Sequence, residues 1–468
     1  YTQQYFGGTA RNMSMAGAMS ALGGDYSNVL TNPAGLARFK RSNFSMTMGV
    51  ENPGSSSTFM GTNYDERGLA AKFSNLSYVK AYTLDPAKFN NWYGVTMGLG
   101  YNRTRTFEDR FRYTGTADSS IIHSFIHEAN GTPDSLLYST FPFTAGLAYD
   151  VYAMDPELGS NTTYTTAFNA GQAVHDREIV RRGGMSEYNF SLAGNYANKL
   201  FIGGSVNMTR VNYSEFFDHN ETYTVDSLWL NSTRYTGDLD IKGWGYNARL
   251  GLVFLPTDWI RLGIAAQTPT VYFMRDQWSN NMWANTDDPA APDKFIDAAN
   301  VPTGAYNYKV YTPFRANASL GLVFKKFGSI GAEVEFVDYS GASLSDKRFS
   351  PAPYSFTTEN SQIENIYRSV FNYKVGLEAR ITSQAYLRGG FAYYPSAYKE
   401  SSGNAQYPTM FYTGGLGYNF GSFYIDAAFV MKAQQQDYYA YDPTLGGSRA
   451  ELDIKNGQYL LTVGFRIK

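Results

Sequence analysis

The chain has 468 residues, with 39 Lys and Arg against 41 Asp and Glu, no Cys, 39 Tyr and 32 Phe. Only 17% of it is charged, below the about 25% usual for a water-facing domain, yet a 43% hydrophobic share is far too high for a disordered chain. A formal net charge of -2, with no basic run beyond Arg181-Arg182 or Lys325-Lys326, argues against a nucleic-acid partner, and the lack of Cys removes disulfide scaffolds, thiolate metal sites and Cys nucleophiles.

The chain begins at Tyr1 rather than Met, as expected of a protein whose signal peptide has been removed. Residues 1–42 do not alternate like a strand. Arg11 to Gly24 is a run of small residues and Met, and Asp25 and Asn32-Pro33 offer helix-capping and first-turn chemistry, so the segment reads as compact with short helical turns. From residue 43 the pattern changes to period two. Phe44, Met46, Met48 and Val50 alternate with Ser45, Thr47 and Gly49; Tyr93, Val95, Met97, Leu99 and Tyr101 alternate with Gly, Thr and Asn. Further on, Trp244, Tyr246, Ala248, Leu250, Leu252 and Phe254 stand opposite Gly245, Asn247, Arg249 and Gly251, and Phe371, Tyr373, Val375 and Leu377 stand opposite Asn372, Lys374, Gly376 and Glu378.

A soluble sandwich or propeller also alternates, but here the apolar faces begin or end with aromatic rings while the other faces carry Gly, Asn and charge. That suits lipid outside and a polar lumen inside. No segment of about 20 apolar residues exists, so a helical membrane span is excluded, whereas a transmembrane barrel is not. Strands are predicted near 43–50, 68–80, 93–106, 186–197, 200–212, 241–254, 259–273, 309–325, 328–339, 371–381, 385–394, 409–420, 423–433 and 457–467. Tight turns alternate with long loops, as in an all-β, 14-stranded antiparallel transmembrane β-barrel. Residues 1–42 then form a small N-terminal plug, or hatch, inside the lumen, and 43–468 the barrel, with the extracellular loop 107–185 partly helical.

Gly8-Thr9-Ala10-Arg11, Met15-Ala16-Gly17-Ala18, Asp25 and above all Asn32-Pro33-Ala34-Gly35-Leu36-Ala37 resemble the N-terminal hatch of the FadL/TodX family of outer-membrane transporters for long-chain fatty acids and aromatic hydrocarbons. The resemblance implies fourteen strands, an N-terminal plug and extracellular helices. It also implies passive transport: extracellular capture of a hydrophobic ligand, binding in the lumen, a hatch movement and lateral release into the membrane. The family's hatch motif falls on Asn32, Pro33 and Ala34.

Within loop 107–185, Ile121, Ile122, Phe125 and Ile126 follow helical spacing, and Leu136, Leu137, Phe141, Phe143 and Leu147 form a second apolar cluster; they are expected either to capture ligand or to pack on each other. Arg249, Glu333, Glu335, Lys374, Glu378, Arg380 and Arg388 are expected to face the lumen, mainly as ion pairs with the hatch, with one cation as the alternative seat of a ligand carboxylate. His123 and His127 have helical spacing but no third ligand nearby, His175 and His219 read as isolated, and Asp287, Asp288 and Asp293 match no established calcium loop, so no metal, cofactor or catalytic group is assigned. The expected setting is a monomer in the outer membrane of a Gram-negative bacterium, in contact with its lipid and a hydrophobic ligand such as a fatty acid, detergent or lipid. The competing expectations are a non-transporting barrel serving as partner subunit of an outer-membrane or secretion complex, and a hydrophilic porin.

Overall fold

The computed structural model describes residues 2–166, 172–223, 229–288, 291, 293–299, 301–346, 354–402 and 405–467. Fourteen antiparallel strands close into a barrel. They are β1 (Ser42–Asn52), β2 (Ala70–Thr83), β3 (Trp92–Thr106), β4 (Ala173–Tyr196), β5 (Leu200–Tyr223), β6 (Leu230–Phe254), β7 (Ile260–Gln267, resumed as Val271–Thr286), β8 (Thr303–Tyr311, resumed as Arg315–Phe324), β9 (Gly328–Asp338), β10 (Ser369–Arg380), β11 (Ala385–Tyr394), β12 (Thr409–Asn419), β13 (Phe423–Tyr439) and β14 (Arg449–Ile467). The interruptions in β7 and β8 hold Pro269 and Pro313, which cannot donate to a ladder. Closure runs through β14 and β1, paired from Ser42↔Ile467 to Asn52↔Gly457, so none of the fourteen strands is left as an outer edge of the sheet.

The molecule is inside out across the membrane. Leu99, Phe190, Val206, Leu250, Ile264 and Leu377 are exposed, while Asn189, Asn207, Arg249 and Glu378 on the alternate faces are buried. Near the outer end of the apolar band the Arg210 guanidinium lies over the Trp244 ring (5.5 Å) and Lys309 over Phe273 (5.6 Å), the snorkelling expected where hydrocarbon gives way to headgroups.

A membrane crossing needs about 9–11 residues per strand, yet β4, β5 and β6 have 24, 24 and 25. Their upper halves stand in water, and there the expectation of long loops at 107–185 and 213–240 is corrected. Strand structure covers 173–185, 213–223 and 230–240, because outward residues such as Asp218 and Arg234, paired at 2.8 Å, face water and no longer alternate as lipid-facing ones do. The long loop also contains a strand (Asp109–Ala117) and helices α2 (Ile121–Ala129), α3 (Asp134–Thr140) and α4 (Ala145–Asp150), which roof the barrel.

Residues 2–41 lie in the lumen. Helix α1 (Ala10–Ser14) is capped by Thr9, a 3-10 turn at Tyr26–Leu30 by Asp25, and a second at Pro33–Arg38 by Asn32 with Pro33 in its first turn. The barrel wall makes room for them with glycines. A Cβ at Gly251 would overlap the Asn32 side chain, and one at Gly203 would overlap the Pro33–Ala34 backbone.

Candidate functional site

The Asn32 side chain accepts from the Ala34 N–H at 3.1 Å, while its Nδ2 donates to the carbonyls of Leu252 (3.0 Å) and Ile264 (3.3 Å). One amide therefore caps its own turn and ties it to β6 and β7. Asn32, Pro33 and Ala34 are all buried.

Six of the seven expected lumenal charges form pairs that brace the plug. Arg249 holds Glu187 with two bonds (2.5 and 2.8 Å) and donates to the Val29 carbonyl. Glu333 accepts from Lys374 at 2.8 Å and from Ser20 of the hatch. Glu335 pairs with Arg315 (3.1 Å), and Glu378 takes both Arg11 of the hatch (2.9 Å) and Arg388 (2.7 Å), which also reaches Asp426. Each of these six has an opposite charge within reach. Arg380 differs from the expectation: it is exposed at the end of β10 and donates to the carbonyls of Thr382 and Ser383, because the turn pulls it to the rim.

Above the plug lies a small cavity of about 60 Å³ with an apolar floor that includes Phe6, Met13, Phe411, Val430 and Leu460. Its walls carry Lys72, Arg103, Arg105 and Lys432 against one carboxylate, Glu51. Tyr5 and Phe6 fill the space, their rings 5.0 Å from Phe411. Alternation did not flag Lys72 or Arg105, because register shifts occur in the β1–β2 ladder at Thr47/Met48 and in the β3–β4 ladder at Arg103/Arg105. Each inserts one residue and re-aims the side chains beyond it, so Lys72 and Arg105 point inward although strict parity would turn them out. Lys72 pairs with Glu51, whereas Lys432 lies over the Tyr5 ring (5.6 Å) and within electrostatic reach of Asp109.

The wall beside this cavity is parted. β2 and β3 pair from Asn75↔Asn102 down to Thr83↔Gly94. Above that level β2 stays with β1 (Phe73 to Ala70), and β3 stays with β4 (Arg103 to Thr106). The side chains of Lys72 and Thr106 bridge the parting at 2.7 Å. At its lower limit runs a belt of amides from Asn75 through Asn102, Asn189 and Asn207 to Asn247, 2.7–2.9 Å from link to link. Below the hatch a vestibule of about 480 Å³ is lined by charge, including Arg11, Asp25, Arg38, Glu378, Arg388 and Asp426.

The apolar loop residues pack on each other. Ile121, Ile122, Phe125, Leu137 and Leu147 are sealed in one core with the tops of β5, β6 and β7, and Ile126 and Phe141 pack against it. Phe143 lies against Trp278 (5.7 Å), and Leu136 is half exposed. The structure also corrects the reading of two histidines as isolated. His175 and His219 have ring centroids 5.4 Å apart because β4 and β5 set Glu221 opposite His175 with His219 two residues away on the same face. Burial pushes the His219 imidazole down to about 4. Cross-strand register is not visible in spacing along the chain. His123 instead closes the cap of α2, with its Nδ1 accepting from the Ser120 N–H at 3.2 Å.

No sequence-family model matches the chain, and no curated protein matches it. Among solved structures it is similar over its whole length to a Pseudomonas aeruginosa FadL homologue (TM-score 0.57, 14% identity, 100% of both chains covered). It has the FadL/TodX fold. The Pseudomonas putida toluene transporter TodX (0.53, 13%, 100% of both chains) and the CymD monoaromatic hydrocarbon channel (0.50, 12%, 99% of both chains) share it. Two of these FadL/TodX-fold proteins are thus described as a transporter and a channel for aromatic hydrocarbons.

Proposed function

We propose that this protein is a passive transporter of hydrophobic small molecules in the outer membrane of a Gram-negative bacterium, working as a monomer on long-chain fatty acids or similar amphipathic carboxylates. The observation that carries the reading is the cavity above the hatch, where an apolar floor meets four cations and one carboxylate beside the parting of β2 and β3. A carboxylate gains charge-assisted hydrogen bonds from Arg105 or Lys432 while an alkyl tail takes the place of Tyr5 and Phe6. At about 60 Å³ the cavity holds a few waters but no long chain, so ligand entry displaces those rings. They lead directly into the hatch, which couples binding to hatch movement.

Capture outside rests on the exposed side of the roof, where Leu136 and Tyr138 face water. Release goes sideways between β2 and β3, since the vestibule below the hatch offers a tail mostly charged and polar side chains. In liposomes the folded protein should admit a labelled long-chain fatty acid without leaking a small sugar, and Asn32→Ala should change the fatty-acid rate. Absence of fatty-acid flux from a folded barrel overturns the proposal: sugar leak would then point to a porin, and silence for both to a partner subunit.

A further inference from the structure

Transport has no use for a buried polar cluster under the roof, well above the Arg210–Trp244 level that marks the outer edge of the apolar band. His175, His219 and Glu221 are 2%, 1% and 0% exposed, and one donor atom from each lies within 4.8 Å of the other two. His175 Nε2 is 2.8 Å from the Ser119 carbonyl oxygen. A carbonyl only accepts, so this nitrogen carries the proton, and in the neutral ring Nδ1 is a bare lone pair. That lone pair faces Glu221 Oε1 at 3.5 Å, and Oε1 also has His219 Nε2 at 2.9 Å. A lone pair aimed at a carboxylate in a dry site calls for positive charge between them, supplied by a proton or by a cation.

We propose that His175 Nδ1, His219 Nε2 and Glu221 Oε1 bind one divalent cation of the zinc class. Two imidazoles and a carboxylate are a borderline donor set that suits zinc rather than calcium or magnesium. Donors at zinc distances in a tetrahedral shell stand about 3.3 Å apart, which the 2.9 and 3.5 Å separations bracket. The Ser119 carbonyl on His175 Nε2–H is the outer contact that ligating histidines make, fixing tautomer and ring orientation. Arg177, the next inward residue of β4, turns aside to the Phe217 ring (4.3 Å) and the Tyr438 hydroxyl (3.0 Å).

The ion staples the roof. Glu221 also accepts from the Ile121 N–H at 2.9 Å and from Ser120 Oγ at the start of α2. A cation on Glu221 therefore links the first turn of the roof to β4 and β5. This role is independent of the cargo in the lumen.

The test uses full-length protein without a histidine tag, stripped by chelator, shown folded by its heat-sensitive gel mobility, and titrated with zinc and with cobalt. One ion per chain is expected, with a visible cobalt spectrum of low coordination number. His175→Ala and His219→Ala should each weaken zinc binding by more than about 100-fold, the upper end of the cost of losing a mere orienting contact. The double variant His123→Ala/His127→Ala should bind as wild type does. If an alanine variant fails to fold, the wild-type cobalt stoichiometry and spectrum decide alone. The proposal is overturned if the folded, stripped wild type takes up no stoichiometric cobalt or zinc, or if folded His175→Ala and His219→Ala bind as tightly as wild type.

Discussion

The two ends of this barrel are closed by different mixtures of chemistry. The hatch joins apolar packing on the wall, as of Val29 and Leu36 with Phe201 and Val253, to side chains that grip backbone or an opposite charge, such as Asn32 on the Leu252 and Ile264 carbonyls and Arg11 on Glu378. The roof is held by an apolar core in which Ile121, Ile122, Phe125, Leu137 and Leu147 are buried. A hydrogen bond contributes about 0.5–1.5 kcal/mol net because water or a neighbour can replace the partner, so hatch contacts can be exchanged one at a time. Exposing five large apolar side chains would cost roughly 7–15 kcal/mol together. On the proposed function, these polar contacts make the hatch the end expected to yield before the roof.

The sharpest way to break this contrast is in the roof. Ile122→Ala removes buried methyl groups from a sealed core and should cost about 2–5 kcal/mol of local stability. Hydrogen exchange should quicken in α2, α3 and α4 and leave the hatch amides unchanged. Equal quickening at both ends would show one cooperative unit and defeat the contrast.

A smaller effect of the reverse kind is expected at Gly251. Valine there overlaps the Asn32 side chain, so the Pro33–Arg38 turn must leave its seat, at about 1–3 kcal/mol. Hatch amides should exchange faster and single-channel conductance should rise, with roof amides as in wild type. An unchanged conductance would mean that the seat yields without moving the plug.

How much of the molecule was legible depends on what each residue faces. Where strands face lipid, alternation such as Leu250 and Leu252 against Arg249 and Gly251 placed fourteen strands to within a few residues. Capping chemistry at Asp25 and Asn32-Pro33 placed the hatch turns. Where the same strands rise into water, at 213–223 and 230–240, both faces become polar and the signal vanishes. Lys72 and Arg105 were hidden by single-residue insertions that reverse parity, and His175 and His219 by a register that only pairing reveals. Gly203 and Gly251 could have been found, since glycine at mid-strand on an inward face signals a close backbone approach.

The smallest effect sharpens the comparison at the top of the barrel wall, where polar groups are half-buried rather than exchanged or sealed. Asp276 lies above the Trp244–Phe273 level, outside the membrane crossing. Burial pushes its carboxyl up to about 6, against the Tyr308 hydroxyl that donates to it at 3.1 Å and pulls the other way. Between about pH 4 and 6 the folded chain therefore holds more protons than the unfolded chain. Stability contributed by Asp276 is present below the unfolded value near 4 and is lost as pH rises through 6, the reverse of a salt-bridged carboxylate. After allowance for solvent screening the effect is about 1 kcal/mol or less. Asp276→Asn keeps the acceptor for Tyr308 and removes the proton. The local opening free energy of the neighbouring β7 and β8 amides should fall from pH 4 to pH 7 in wild type, and this part of the slope should be absent in the variant. A slope unaltered by the substitution would place the titrating group elsewhere.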